Sequence, residues 1–224
     1  METNIITQKN NGDKPSIVGM IVSPGLQFER MKNNNKIWGA FWLVSILTGI
    51  VYVIDSYAYA QSSEGIKKNV MLGLNVSISE QLVTGFFTGV ITAIIGFFIS
   101  AAVYKALMMF MGNDTSYRKI LTISIYVSVI TILGLFINGI LSIILGGTGL
   151  ESYTGLGPLF FSTSNVLHTI MNSFEIFTIW GLMVYGLGLY ITAGLSKKQA
   201  VIAVLIFFIL SLTFNLLGNM ISAI

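Results

Sequence analysis

A single carboxylate opens one of the apolar runs of this chain. In NSFEIFTIWGLMVYGLGLY, Asn172 to Tyr190, Glu175 is followed by no further charge. If a helix begins near Asn172, the Asn-x-x-Glu spacing resembles a capping box, and the carboxylate sits where the positive end of the helix dipole favours it. If the helix begins near Ser164, His168, Asn172 and Glu175 fall at i, i+4 and i+7 and form one polar stripe. Such a stripe could bind a cation, relay a proton or face a partner, the roles expected of ionisable groups in membrane segments. One histidine and one carboxylate fall short of the three or four ligands a transition metal requires. The chain has a single histidine and no cysteine, and it lacks H-E-x-x-H, G-x-S-x-G and phosphate-cradling glycine loops. No catalytic, metal-binding or cofactor-binding residues are therefore expected.

The elements that must position these residues are membrane helices. Of the 224 residues 54% are hydrophobic and 9% charged, and the mean hydropathy is +0.81; soluble domains carry about a quarter charged residues. Uncharged runs recur, each able to cross a hydrocarbon core of about 30 Å with about 20 residues. The fold class expected is all-α, a polytopic bundle of five transmembrane helices over roughly 37–54, 82–111, 120–145, 173–195 and 200–224. Residues 1–21 are expected to form a polar cytoplasmic segment and 22–224 the membrane domain. With the N-terminus inside, ten of the twelve Lys and Arg residues fall on the cytoplasmic side. That asymmetry predicts N-terminus in and C-terminus out. It also assigns the positive net charge to span ends rather than to a nucleic-acid surface. The Ala58-Tyr59-Ala60 sequence after the first span mimics a signal-peptide cleavage site, but the preceding polar head and long apolar run predict an uncleaved anchor.

Three further groups of residues support this arrangement. Ser23 and Pro24 suit a helix start, followed by Phe28 and Met31 among basic residues. This is the pattern of an interfacial helix with its rings toward acyl chains, and Trp38 and Trp42 would anchor the first span nearby. Gly85, Gly89 and Ala93 recur every fourth residue, with Gly96 and Ser100 as a second small pair. Small stripes of this kind let helix backbones approach closely, within one chain or in a homo-oligomer. Gly181 and Gly188 are the corresponding packing candidates in the fourth span. Lys105 should snorkel out of the long second span toward Asp114, at the opposite surface from Glu175.

These motifs resemble the Ypt-interacting-protein (Yip) domain family, in particular its bacterial members, from about Val22 to Ile224. The residues that carry the resemblance are Ser23, Pro24 and Phe28 before the first span, then Tyr104, Gly112, Arg118 and Tyr126. Glu175, Phe177, Trp180, Gly181 and Gly188 follow a pattern that opens the family's fourth span, with glutamate here where aspartate is usual. GLSKKQA, with Lys197, Lys198 and Ala200, matches its last turn. The resemblance implies a five-helix bundle with a cytoplasmic N-terminus. It implies an interaction protein rather than an enzyme: eukaryotic relatives are associated with Rab-type GTPases and vesicle traffic, and some bacterial ones with ABC-type exporters in defence against peptide toxins. The expectation is an accessory partner of a larger assembly in the bacterial cytoplasmic membrane, its contacts the lipid bilayer, a membrane protein such as an ABC-type exporter, and other copies of itself. The alternatives are a small transporter or permease subunit with Glu175, Asn138, Asn215 and Asn219 near a pathway, or a membrane-shaping protein.

Overall fold

The computed structural model describes residues 14–34, 36–160 and 165–222. Regular structure among them is helical: α1 (Ile17–Val22), α2 (Pro24–Met31), α3 (Trp38–Gln61), α4 (Ser63–Met71), α5 (Ile78–Phe110), α6 (Tyr117–Leu145), α7 (Asn165–Asn172), α8 (Ile176–Ile191) and α9 (Lys197–Ser222), with a 3-10 turn at Gly157–Phe160. Four of these, α3, α5, α6 and α9, are long and apolar enough to cross a membrane. The expected span over 173–195 is a shorter apolar helix of 16 residues. At about 1.5 Å per residue it covers about 24 Å, less than a hydrocarbon core.

Side-chain and backbone contacts nevertheless tie α8 to both ends of the bundle. At one end its first turn bonds to Thr154, beyond the C-terminus of α6. At the other, the Ala193 carbonyl accepts from the Asn113 amide at 3.4 Å and the Thr115 hydroxyl at 2.5 Å, both in the α5–α6 connection. There too the Gln199 amide of α9 donates to the Met111 carbonyl at 3.2 Å. Lys105 also lies at this end, 3.1 Å from Asp114 and donating to the Thr115 carbonyl at 2.8 Å, the short-range pairing its position in the sequence suggested.

α6 is the central helix and packs against α1, α2, α3, α5 and α8; Ile120, Ile123, Ile125 and Ile130 are fully buried. The tightest pairing joins α3 and α5. A Cβ added at Gly89 would lie 2.7 Å from the Tyr52 Cβ and 2.9 Å from the Gly49 Cα, so the two backbones meet there with no room for a side chain. Gly85 lies against Ser56 in the same way, and Ala93 is buried one turn on. Gly96 differs: nothing lies within 4 Å of an added Cβ, so the second small pair makes no close helix contact. Gly181 likewise meets nothing, whereas Gly188 packs against Phe28 and Ile123 at 2.8 Å.

Two expectations at the N-terminal side are corrected. Residues 17–21 are not part of a separate polar segment. Ser16 accepts from the Gly19 N–H to cap α1, Met20 is fully buried, and the Tyr126 hydroxyl donates to the Pro15 carbonyl at 3.3 Å. Phe28 does not face acyl chains either. It is 0% exposed, wedged against Gly188, and its carbonyl accepts from the Thr192 hydroxyl at 2.9 Å. The apolar face of α2 thus covers α8. Pro24 occupies the first turn of α2 as expected, although the Ser23 side chain makes no capping bond. Trp38 and Trp42, 59% and 53% exposed, stand one turn apart around the buried Phe41, whose ring meets theirs edge-on at 5.6 and 5.2 Å.

Candidate functional site

Glu175 caps α8 itself. Its backbone is extended, and its Oε2 accepts from the Thr178 N–H at 2.6 Å and the Thr178 hydroxyl at 3.0 Å. Its Oε1 accepts from the Thr154 hydroxyl at 2.5 Å. Thr154 is held in turn by Asn138 of α6, whose Oδ1 accepts from the Thr154 N–H at 3.0 Å and whose amide donates to the Thr154 hydroxyl at 3.0 Å. Two backbone bonds, Leu156 N–H to Phe174 carbonyl and Ile176 N–H to Thr154 carbonyl, both 3.3 Å, clamp the loop to the start of α8. The carboxylate is 6% exposed. A buried carboxylate is stable there because both oxygens are occupied by donors at the positive end of a helix.

Neither arrangement expected for His168, Asn172 and Glu175 is present. Asn172 ends α7 rather than capping α8, and the helix is interrupted at Ser173 and Phe174, so no continuous helix aligns the three. Asn172 packs against Gly157, while Glu175 packs against Gly155. His168 is half-buried on α7, the helix that Asn219 of α9 braces through the Thr169 hydroxyl at 2.6 Å. Among the described residues no group of three or more His, Cys, Asp or Glu could hold a metal ion.

The loop beside this network has its own carboxylate. Glu151 accepts from the Thr148 N–H and hydroxyl at 2.9 Å and from the Ser142 hydroxyl at 3.3 Å. Burial pushes its carboxyl up, but the Thr148 and Ser142 bonds outweigh this and hold it below the ordinary carboxylate value. A depressed folded-state value means that the ionised loop is favoured at neutral pH and that this contribution disappears as pH falls through the lowered value. Amide exchange of residues 147–155, corrected for intrinsic rates, should therefore accelerate between about pH 6 and about pH 3. Glu151→Gln should flatten that dependence; an unchanged profile would show that the carboxylate does not hold the loop.

A second polar site has no counterpart among the sequence expectations. α3 continues through Asp55 to Gln61, and Tyr52, Asp55, Ser56 and Tyr59 share one of its faces. Gln81, Thr84, Gly85 and Thr88 line the opposing face of α5. Together with Val76, Leu135 and the Thr148–Leu150 loop they enclose an open cavity of about 610 Å³. Gly149, at φ +81°, lays that loop directly on the Asp55 backbone; this left-handed conformation suits glycine. A deeper cavity of about 370 Å³ shares Tyr52 and Leu135 with the first and extends to Thr178, Tyr104 and Tyr185. The Tyr104 ring stacks on Tyr185 at 3.9 Å and on Phe207 at 4.6 Å. Glu175 lines neither cavity. On the other side of the bundle, α8 and α9 border an apolar groove of about 790 Å³ that includes Met183, Gly186, Tyr190, Val201 and Leu205, with Lys197 at one end.

Comparison with known proteins adds three findings. The family model described as the Yip1 domain matches residues 18–218. Membrane protein YknW of Bacillus subtilis (strain 168) is 34% identical over 232 aligned positions, which cover 100% of this chain and 99% of that protein. No solved structure matches.

Proposed function

The chain belongs to the Yip1 domain family of membrane proteins, and from that premise we propose that it is a non-enzymatic interaction protein of the bacterial cytoplasmic membrane, accessory to a larger membrane assembly of the ABC-exporter kind. In this reading α8 completes a five-span bundle. The N-terminus and the basic end of the bundle, with Lys105, Arg118, Lys197 and Lys198, face the cytoplasm; Asp55, Glu151 and Glu175 lie at the other end. The observation that carries the proposal is the closed Glu175–Thr154–Asn138 network. Its donors and acceptors are matched within the chain, and its carboxylate borders neither polar cavity. The acid legible in the sequence thus holds the loop to α8 and leaves function to the surface. The α8–α9 groove is a suitable place, because its lining is apolar and Met183 and Val201 in it are 68% and 58% exposed.

Photo-cross-linking residues placed at Met183 and Val201 in the full chain, followed by mild-detergent purification from native membranes, test this. A near-stoichiometric cross-link to the membrane subunit of an ABC-type exporter is the expected result. A chain recovered alone, or linked only to itself, overturns the accessory role. The two cavities that share Tyr52 and Leu135 in their walls are the observation behind one second reading, a small transport subunit. It predicts solute flux by the purified chain alone in vesicles.

A further inference from the structure

Among the described residues Asp55 supplies the only formal charge in the lining of its cavity, and none donates a hydrogen bond to it. The Asp55 Oδ1 packs against Gly139 of α6, and an intramembrane carboxylate at a cavity wall with no hydrogen-bond donor is costly unless a cation or a proton neutralises it. We propose that the cavity between α3 and α5 binds the primary ammonium group of an amphiphile entering from the leaflet at the Asp55 end of the bundle.

Size and lining select that chemistry. A hard inorganic cation is held by about six to eight oxygens at about 2.3–2.6 Å. Here the polar groups are spread along two helical turns on each wall, about 10 Å, around a space of about 610 Å³, the size of an organic ligand site. Tyr52 and Tyr59 lie on the same helix face as Asp55 and line the same cavity, and tyrosine rings attract organic cations. An ammonium carries three donors. Asp55 takes one, and Thr84 and Thr88 bring hydroxyls to the same lining that can accept the others. Val76, Leu135 and Leu150 leave an apolar wall for methylene groups.

Depth selects the carrier. Asp55 lies seventeen residues along α3 from Trp38, about 25 Å. With Trp38 at one interface, Asp55 falls just inside the far edge of a core of about 30 Å, at the level where headgroups meet acyl chains. The ammonium can arrive on an ethanolamine phospholipid or on a free long-chain amine.

Native mass spectrometry of the purified full chain separates these sources. The protein is equilibrated with phosphatidylethanolamine and phosphatidylcholine in equal amounts and, separately, titrated with dodecylamine. Retention of one ethanolamine lipid in preference to choline lipid assigns the headgroup as ligand; dodecylamine binding alone assigns the free amine. Asp55→Asn should weaken either by about tenfold or more, the scale of one charge-assisted hydrogen bond. Thr88→Leu, at an exposed position in the cavity wall, should also weaken binding while leaving the charge, and it carries the test if Asp55→Asn does not fold. Equal binding by the wild type and both folded variants, or no preference for an amine over choline lipid or dodecanol, overturns the proposal.

Discussion

Gly89→Leu should abolish the packed state of the bundle, while Gly96→Leu, two turns along the same helix, should leave it intact. At Gly89 the added Cβ would meet the Tyr52 Cβ at 2.7 Å and the Gly49 Cα at 2.9 Å. One of these atoms is backbone, so no rotamer change relieves the clash, and the helices must separate along the face that Gly85 and Ala93 continue. Overpacking of a movable core costs about 1–3 kcal/mol; a backbone-to-backbone contact belongs above that range. Close packing is also the main force between helices in lipid, where there is no water to expel. At Gly96 nothing lies within 4 Å of the new atom. Thermal unfolding of both purified variants, read with the fraction of each that remains monodisperse in mild detergent, compares them directly. Similar stabilities would mean that α3 and α5 are not held by this face.

The second large effect is expected at Glu175. Glu175→Ala removes the acceptor for the Thr178 N–H, the Thr178 hydroxyl and the Thr154 hydroxyl together, and only Thr154 has a second acceptor in reach, the Asn138 Oδ1. Loss of a cap costs about 1 kcal/mol and each unsatisfied buried group about 1–3 kcal/mol. A loss of about 2 kcal/mol is expected, the cap together with one weakly satisfied donor. Glu175→Gln should cost about 1 kcal/mol, because the amide oxygen can serve Thr178 while its nitrogen faces Thr154. The Thr154 hydroxyl can then donate to the Asn138 Oδ1, 3.2 Å away. Chemical denaturation of the three proteins gives the ranking. A glutamine variant as unstable as the alanine variant would show that the network depends on charge and not on matched donors.

The parts of the fold legible in the sequence are those where one property decides. Four uncharged runs became α3, α5, α6 and α9 because a helix is the form in which such a run satisfies its own backbone in lipid. The Gly85–Gly89–Ala93 stripe marks a close contact because a missing side chain has few other uses at that spacing. Phe28 was not legible as a core residue. An apolar face beside Arg30 and Lys32 has the same pattern whether lipid or another helix covers it, and only the facing Gly188 distinguishes the two. The length of α8 was hidden as well, since the run continues without charge through Ala193, Gly194 and Leu195 while Thr192 already caps the helix. Asp55 read as the polar end of a span, yet α3 continues for six residues beyond it. The matched stripes Tyr52–Asp55–Ser56–Tyr59 and Gln81–Thr84–Gly85–Thr88 were the available signal: two polar faces at helical period that only a facing pair of helices would use. The Ser77-x-x-Glu80 capping box that opens α5 was equally readable, and both of its bonds form.

In the five-span arrangement proposed above, the short α8 also acts on the membrane around it. Ile176, Ile179 and Met183 leave one side of this helix uncovered, while α5, with 33 residues, reaches about 50 Å. Lipids beside α8 must draw their headgroups inward to meet its ends, at a fraction of a kcal/mol for each ångström of mismatch, whereas lipids beside α5 need not. In that arrangement the protein is bordered by a bilayer dimpled on one flank. A neighbour whose own apolar belt is equally short relieves that dimple by lying against it, so the elasticity of the membrane favours association at the α8 flank before any side chains touch.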